Sequence, residues 1–575
     1  MTVLTADPGH AAPAARHRAS RAYWRLIALA LASGLSLPLL VIAAGLLQPF
    51  GDTWAHLAAT VLPDYVRNTL LLVVGVGFST LLIGTGTAWL VTMYRFPLHR
   101  IAEWALLLPL AVPAYLIAYT YADFLDFAGP VQTLLRDISP AVAGYFPPIR
   151  SLGGAIFLMS VVFYPYVYLL ARASFLEQSV CVLEVGRTLG CGPWGNFFQV
   201  AVPLARPALA GGVALAVMEA VADFGTVQHL GVQTFTTGIF RTWFSFGDRV
   251  AAAQLSATLM AVIAMLMLIE FSLRGRARYA HTSGRYQPLP RPRLTALRGG
   301  LATAACVLPV SLGFVLPIAV LLWLAVANRF ADAGGSFASL AWNTTILAGI
   351  GAVLVVAASA LLTYAVRQAP GWVTRGGARI ATLGYAAPGT VVAVGVLIPF
   401  AWLDNQLDSI MQQTFGVGTG LVLTGTIAAV LFAYLVRFAA LGVKTVESGL
   451  SRIRPNMDDA ARNLGLGALP TFVRVHAPLM RGTLLTAGLL VFVEILKELP
   501  ATLIIRPFNF DTLAIRVFQL ASDERLAEAA TTALAIVGVG ILPVILLSRR
   551  IGHGRPGTGE PGATAQSAGS GPRVY

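Results

Sequence analysis

Twelve stretches of this sequence are long and apolar enough to cross a bilayer as helices. They fall near 26–47, 66–93, 101–122, 153–173, 204–224 and 250–273, then near 300–327, 343–366, 378–402, 418–441, 482–500 and 526–548. A hydrocarbon core about 30 Å thick takes roughly 20 residues of helix. In that core every backbone polar group must be bonded within the chain. The expected fold is therefore all-α: a polytopic membrane protein of about twelve transmembrane helices, with the bilayer as its principal partner. Composition agrees, since 57% of the 575 residues are hydrophobic and only 11% are charged. No soluble globular class has that balance. The run at 26–47 lacks a small-residue cleavage site and exceeds a usual signal-peptide core, so it reads as the first span.

The formal net charge is +14. On a soluble chain this would point to nucleic acid, but here the question is which side of the membrane carries it. With the N-terminus inside, about 30 of the 40 Lys and Arg fall on cytosolic segments: 1–25, 94–100, 172–206, the linker, 367–379, 437–481 and the tail. Both termini are thus expected in the cytosol, with no role for nucleic acid. The sequence divides into an N-terminal tail (1–25), a first membrane domain (26–273), an Arg/Pro-rich linker (274–299), a second membrane domain (300–550) and a Gly/Pro/Ser-rich tail (551–575) whose composition predicts disorder.

The halves repeat each other. At an offset of 275 residues, Asn68-Thr69 pairs with Asn343-Thr344, Pro113 with Pro388, Arg187 with Arg462, Gly190 with Gly465, Phe197 with Phe472, Glu219 with Glu494, Thr237 with Thr512 and Arg241 with Arg516. With six spans each, the halves run the same way, as parallel repeats about an axis along the membrane normal.

Between the fourth and fifth spans lies a polar, helix-breaking stretch, Leu183-Glu184-Val185-Gly186-Arg187-Thr188-Leu189-Gly190, running on to Pro207. Its second copy begins Asp459-Ala460-Ala461-Arg462-Asn463-Leu464-Gly465. The pattern predicts helix, turn, helix. Gly190 and Gly465 suit a left-handed helix end, and Pro193 suits the first turn of a new helix. Trp194, Phe197 and Phe198, or Leu469, Phe472 and Val473, then share one apolar face. A short amphipathic helix on the cytosolic side has no bilayer to enter, so that face needs a partner.

Several chemistries are excluded. The two lysines, Lys444 and Lys497, do not follow Gly-x-x-x-x-Gly, so no phosphate-cradling loop is present. Eight histidines and three cysteines (Cys181, Cys191, Cys306) show no metal-ligand spacing. No metal site is established, and no nucleophile–base set marks an enzyme. His229 reads as a periplasmic loop residue and His476 as part of the second polar stretch. Asn68 and Asn343 read as helix-start residues, and Pro109, Pro113 and Pro388 as kinks in packed helices.

Intramembrane carboxylates are costly and usually face a bundle interior or a wet cavity. Glu219 and Asp223 stand four apart on one helical face near the end of the fifth span, and Glu494 and Glu498 repeat them in the eleventh. Two readings stay open. The pairs line a translocation pathway, or they are structural, with Glu494 paired to Lys497. Glu103 and Glu270, without acidic counterparts, read as interfacial.

The polar stretch and its copy resemble the EAA loop of type I ABC importer permeases, departing from it in places: the second reads Asp-Ala-Ala and the first Glu-Val-Gly. The resemblance implies the type I permease fold with both halves fused. It implies docking of a cytoplasmic ATPase dimer through Glu184, Arg187, Gly190, Trp194, Phe197, Asp459, Arg462, Gly465 and Phe472, and delivery of substrate by a periplasmic binding protein at a bacterial inner membrane. No cofactor is expected in this chain, ATP and Mg belonging to the ATPase. The runs from Met218 to Val227, Thr234 to Trp243, Lys497 to Thr502 and Arg506 to Ala514 resemble fused ferric-iron permeases. Related permeases carry thiamine or polyamines, and a proton-coupled secondary transporter with fused repeats is the alternative from another class.

Overall fold

The computed structural model describes residues 11–177, 188, 192–274, 291–329, 335–454 and 456–552. Among these, all named elements are helical, and the isolated β-bridge Arg95–Arg293 pins the end of the linker to the loop after the second span. Ten helices are long and apolar enough to cross a membrane, and two bent pairs bring the total up to twelve. In order they are α1 (Arg21–Gly45), α2 (Leu62–Met93), α3 (arms His99–Ala111 and Ala114–Ile138), α4 (Leu152–Leu176), α5 (Asn196–Ala222), α6 (Arg249–Glu270), α7 (Ala296–Ala327), α8 (Phe337–Gln368), α9 (Gly389–Phe415), α10 (Ile427–Leu450), α11 (arms Ala468–Leu479 and Arg481–Leu496) and α12 (Leu526–Ile545). Glu184, Arg187, Gly190, Cys181, Cys191, most of the linker and the tail beyond Gly552 lie outside the described residues.

The expected third span, 101–122, is broken rather than kinked. Its arms meet at 89°. Pro113 forces the residue before it out of the helical region, and Val112 is extended at φ −102°, ψ 121°. The eleventh span is bent by 81° between Leu479 and Arg481 and stops at Leu496; a separate short helix, Pro500–Ile505, follows.

Within each half, α2, α4 and α5, or α8, α10 and α11, pack together. Close approach of membrane helices needs a small residue on one side, and the halves meet this need from opposite sides. A Cβ on Gly84 of α2 would lie 2.7 Å from Val167 Cβ of α4, whereas in the second half a Cβ on Gly442 of α10 would lie 2.3 Å from Ser359 Oγ of α8. Val167 and Gly442 are repeat mates, as are Gly84 and Ser359.

The first span of each half packs on the other half. α1 lies against α8, α9 and the short helix Trp372–Ala381, and the Trp24 ring stands 5.2 Å from that of Tyr364. Reciprocally, α7 lies on α3 and α4. The Tyr121 hydroxyl donates to Leu312 O at 2.7 Å, and a Cβ on Gly313 would come within 2.4 Å of Val161 O. Asn68 and Asn343 sit inside α2 and α8 and donate to Gln233 O (2.9 Å) and Asp511 O (3.3 Å). Each ties its helix to the segment before a short helix, Phe235–Phe244 or Leu513–Ser522.

Candidate functional site

Two constellations occur at repeat positions: a charged cavity between the halves, and the polar loops. The cavity, about 100 Å³, is lined by α3 to α5 from one half and α10 and α11 from the other. Glu219, Asp223, Glu494 and Glu498 all reach it, with Arg437 and Lys497. Residues 275 apart line the same space, so it lies between the two halves at the axis of the repeat.

The four carboxylates divide into two kinds. Asp223 follows the last residue of α5, and its Oδ1 accepts from Thr226 N at 2.8 Å, at the start of the short helix Gly225–His229. Glu498 does the same for Pro500–Ile505, accepting from Ala501 N (2.8 Å) and Thr502 N (2.9 Å) as well as the Thr502 hydroxyl. These are N-capping bonds, which satisfy amides that have no partner within the helix. Glu219 and Glu494 hold no backbone amide. The Tyr385 hydroxyl donates to Glu219 Oε1 at 3.2 Å, and Lys497 Nζ lies 2.9 Å from Glu494 Oε1. The Lys497 pairing of the structural reading is therefore present, within the shared cavity that the pathway reading requires. Among the described residues no three His, Cys, Asp or Glu side chains are grouped to hold a metal ion.

Two basic residues counted with the cytosolic segments are engaged in ion pairs within the helices. Arg437 lines the cavity, its NH1 3.9 Å from Glu498 Oε1. Arg172 is buried in α4 and pairs with Glu103. Neither partnership is visible locally, since each joins residues more than 60 positions apart.

The second polar loop is held from inside by α8. Arg367, in its last turn, donates to Leu450 O (2.9 Å) and Ile453 O (3.1 Å) and pairs with Asp458 Oδ2 (2.5 Å). Asp458 is buried in the first turn of the helix Asn456–Asn463, where the helix dipole favours an anion. His476, fully buried, places Nε2 3.1 Å from the other Asp458 oxygen. Gly465 adopts φ +81°. Its N–H bonds Arg462 O (2.9 Å), and Leu466 N–H bonds Ala461 O (3.0 Å). This pair of bonds is a Schellman helix end.

The apolar face expected of each loop splits in two. Phe197 turns inward, 5.1 Å from Trp89, and Phe472 stands 5.0 Å from Tyr364. Trp194 and Phe198, stacked at 6.1 Å, remain exposed, as do Leu469 and Val473 at the matching places. A π-turn occupies the same register in both loops, Asn196–Ala201 and Phe472–His476. Asp459 and Arg462 are exposed and 3.4 Å apart.

Ten to twelve candidate spans among the described residues, with a charged cavity and polar loops at repeat positions, make up the architecture of a multi-pass membrane protein. Residues 80–276 match the family described as the binding-protein-dependent transport system inner membrane component. The chain is 26% identical over 496 residues to the Fe(3+)-transport system permease protein FbpB 2 of Haemophilus influenzae, covering 84% of this chain and 90% of that one. It is 24% identical over 520 residues to a probable ABC transporter permease protein, y4fN, of Sinorhizobium fredii, covering 85% and 87%. The putative 2-aminoethylphosphonate transport system permease protein PhnV of Salmonella typhimurium matches 255 residues at 27% identity, 41% of this chain and 88% of its own. Residues 80–276 thus carry a domain of that transport family, over most of its length the chain is similar to bacterial permeases, and its apolar helices make it a multi-pass membrane protein.

Proposed function

We propose that this chain is the membrane subunit of an importer for ferric iron, driven by ATP through alternating access. The observation that carries the reading is the similarity to a Fe(3+) permease along both halves, 90% of that relative's length. The 2-aminoethylphosphonate permease of Salmonella typhimurium aligns with 41% of the chain, against 84% for the Fe(3+) permease. A periplasmic binding protein delivers the cargo to the outer face. A separate ATPase dimer, holding ATP and Mg, docks on the two polar loops at the cytosolic side, where both termini also lie. Closing of that dimer draws the loops together. Because Tyr364 and Arg367 fasten the second loop to α8, its displacement is passed into the helices around the axial cavity. Glu219 and Glu494 then meet the cation in passage. With too few ligands grouped to retain it, the site favours transit, and an ion that must leave should not be held tightly.

The test is uptake of radioactive iron by liposomes containing the purified permease, its ATPase and the binding protein. ATP-dependent uptake that unlabelled thiamine or spermidine does not compete away is expected. Competition by either, or uptake driven by a proton gradient without ATP, would overturn the assignment.

A further inference from the structure

The carboxylates of the axial cavity obey the repeat, and its cations do not. Glu219 and Glu494 are mates, as are Asp223 and Glu498. The mate of Lys497, however, is Ala222, and the mate of Arg437 is Val162. All four of these residues line the cavity. Tyr385, which donates to Glu219, likewise has Leu110 as its mate. Two-fold related acids thus meet at the axis, while the positive charge comes from one half alone.

The two cations differ in freedom. Arg437 is wedged: a Cβ on Gly389 would come within 2.4 Å of its NH1. Lys497 caps the end of α11, ahead of the short helix Pro500–Ile505, on a flexible four-carbon stem. Its ammonium, 2.9 Å from Glu494, occupies the position a positive cargo would take on that carboxylate. Asp223 and Glu498 are committed to helix starts, so Glu494 and Glu219 are the two acids left for cargo.

We propose that Lys497 is a tethered counter-ion. It neutralises Glu494 while the pathway is empty, swings aside for a cationic cargo, and by returning displaces that cargo from the axis. It is a positioning residue acting through Glu494, and the proposal rests on the reading that the cargo is a cation. Removing the ammonium should let the cavity retain cations, and adding a second one at the mate position should obstruct them.

Terbium(III) is the probe, its emission sensitised by Tyr385 beside Glu219, measured on the detergent-purified permease–ATPase complex. Lys497→Met should bind terbium at least about ten-fold more tightly than the wild type, as loss of a competing charge implies. Lys497→Arg should behave as wild type, and the gain should vanish when Glu219→Gln is added to Lys497→Met. Ala222→Lys, which leaves Lys497 in place, should lower iron uptake per assembled complex about ten-fold or more. Unchanged terbium affinity in Lys497→Met, a gain that survives Glu219→Gln, or normal uptake in Ala222→Lys would each overturn the proposal. If Lys497→Met fails to assemble, Ala222→Lys decides alone. Terbium binding does not depend on the natural cargo, so a complex that imports no iron yet shows the terbium response refutes the iron assignment and leaves the counter-ion standing.

Discussion

Tyr364 holds the second loop twice over: its ring stands 5.0 Å from that of Phe472, and its hydroxyl donates to Ala468 O at 2.8 Å. Trp89, its mate, holds Phe197 in the first loop at 5.1 Å. Each loop therefore has one aromatic residue facing the membrane domain and an exposed apolar pair facing away from it.

That division separates two effects of mutation. Phe472→Ala removes a packed ring and should destabilise the purified protein by about 2–3 kcal/mol, below the range for a fully buried phenylalanine. Trp194→Ala combined with Leu469→Ala changes only exposed side chains, so the melting temperature should hold while co-purification of the ATPase is lost. Retention of the ATPase by that double variant would remove the outer pair from the interface.

Gly465→Val tests the loop's backbone. A side chain there meets nothing within 4 Å, so any effect comes from the left-handed φ, which costs a non-glycine residue about 1–2 kcal/mol. ATPase affinity should fall by about ten-fold with membrane insertion unchanged, and Gly465→Asn should recover most of it. Equal affinity for the valine variant would show that this helix end is not needed for docking.

The axial carboxylates should respond in two ways. Glu219→Gln with Glu494→Gln leaves both helix starts intact and should cut uptake per assembled complex by about ten-fold or more, as expected where acids line an ion path. Asp223→Ala or Glu498→Ala removes a cap and should instead cost about 1 kcal/mol of stability, with uptake per assembled complex retained. Normal uptake from the double glutamine variant would exclude these residues from the pathway.

Arg367→Ala leaves Asp458 buried without its guanidinium and two carbonyls without a donor. Breaking such a pair costs about 3–5 kcal/mol. Limited proteolysis should then cut within 451–467 while the spans stay protected. Arg367→Lys should rescue only partly, since an ammonium cannot reproduce the fork. A protease-resistant loop in Arg367→Ala would show that other contacts suffice.

Much of this was legible in the sequence because it is carried by periodicity. A 275-residue register and apolar runs of membrane length mark the spans, and Gly465 marks a helix end that it does occupy. What escaped depends on tertiary partners. Pro113 announces a disturbance, but not that the chain turns through 89° beside it. Glu219 and Asp223 share a helical face by spacing, yet the helix ends at Ala222, which turns one acid to the cavity and the other to a cap. Phe197 and Trp194 are equally apolar, and only the nearness of Trp89 draws one of them inward. The signal available for the cations was their failure to repeat: Lys497 stands opposite an alanine.

The exchanged first spans have a bearing on how the protein is made. α1 is among the first segments synthesised, yet the residues it rests on, from Tyr364 to α9, emerge more than 300 positions later. At about 5–20 residues per second, α1 waits roughly 20–70 s in the bilayer before its neighbours exist. Fusion of the halves keeps that neighbour on the same ribosome, so the helix meets its own partner rather than competing for one among separately made subunits.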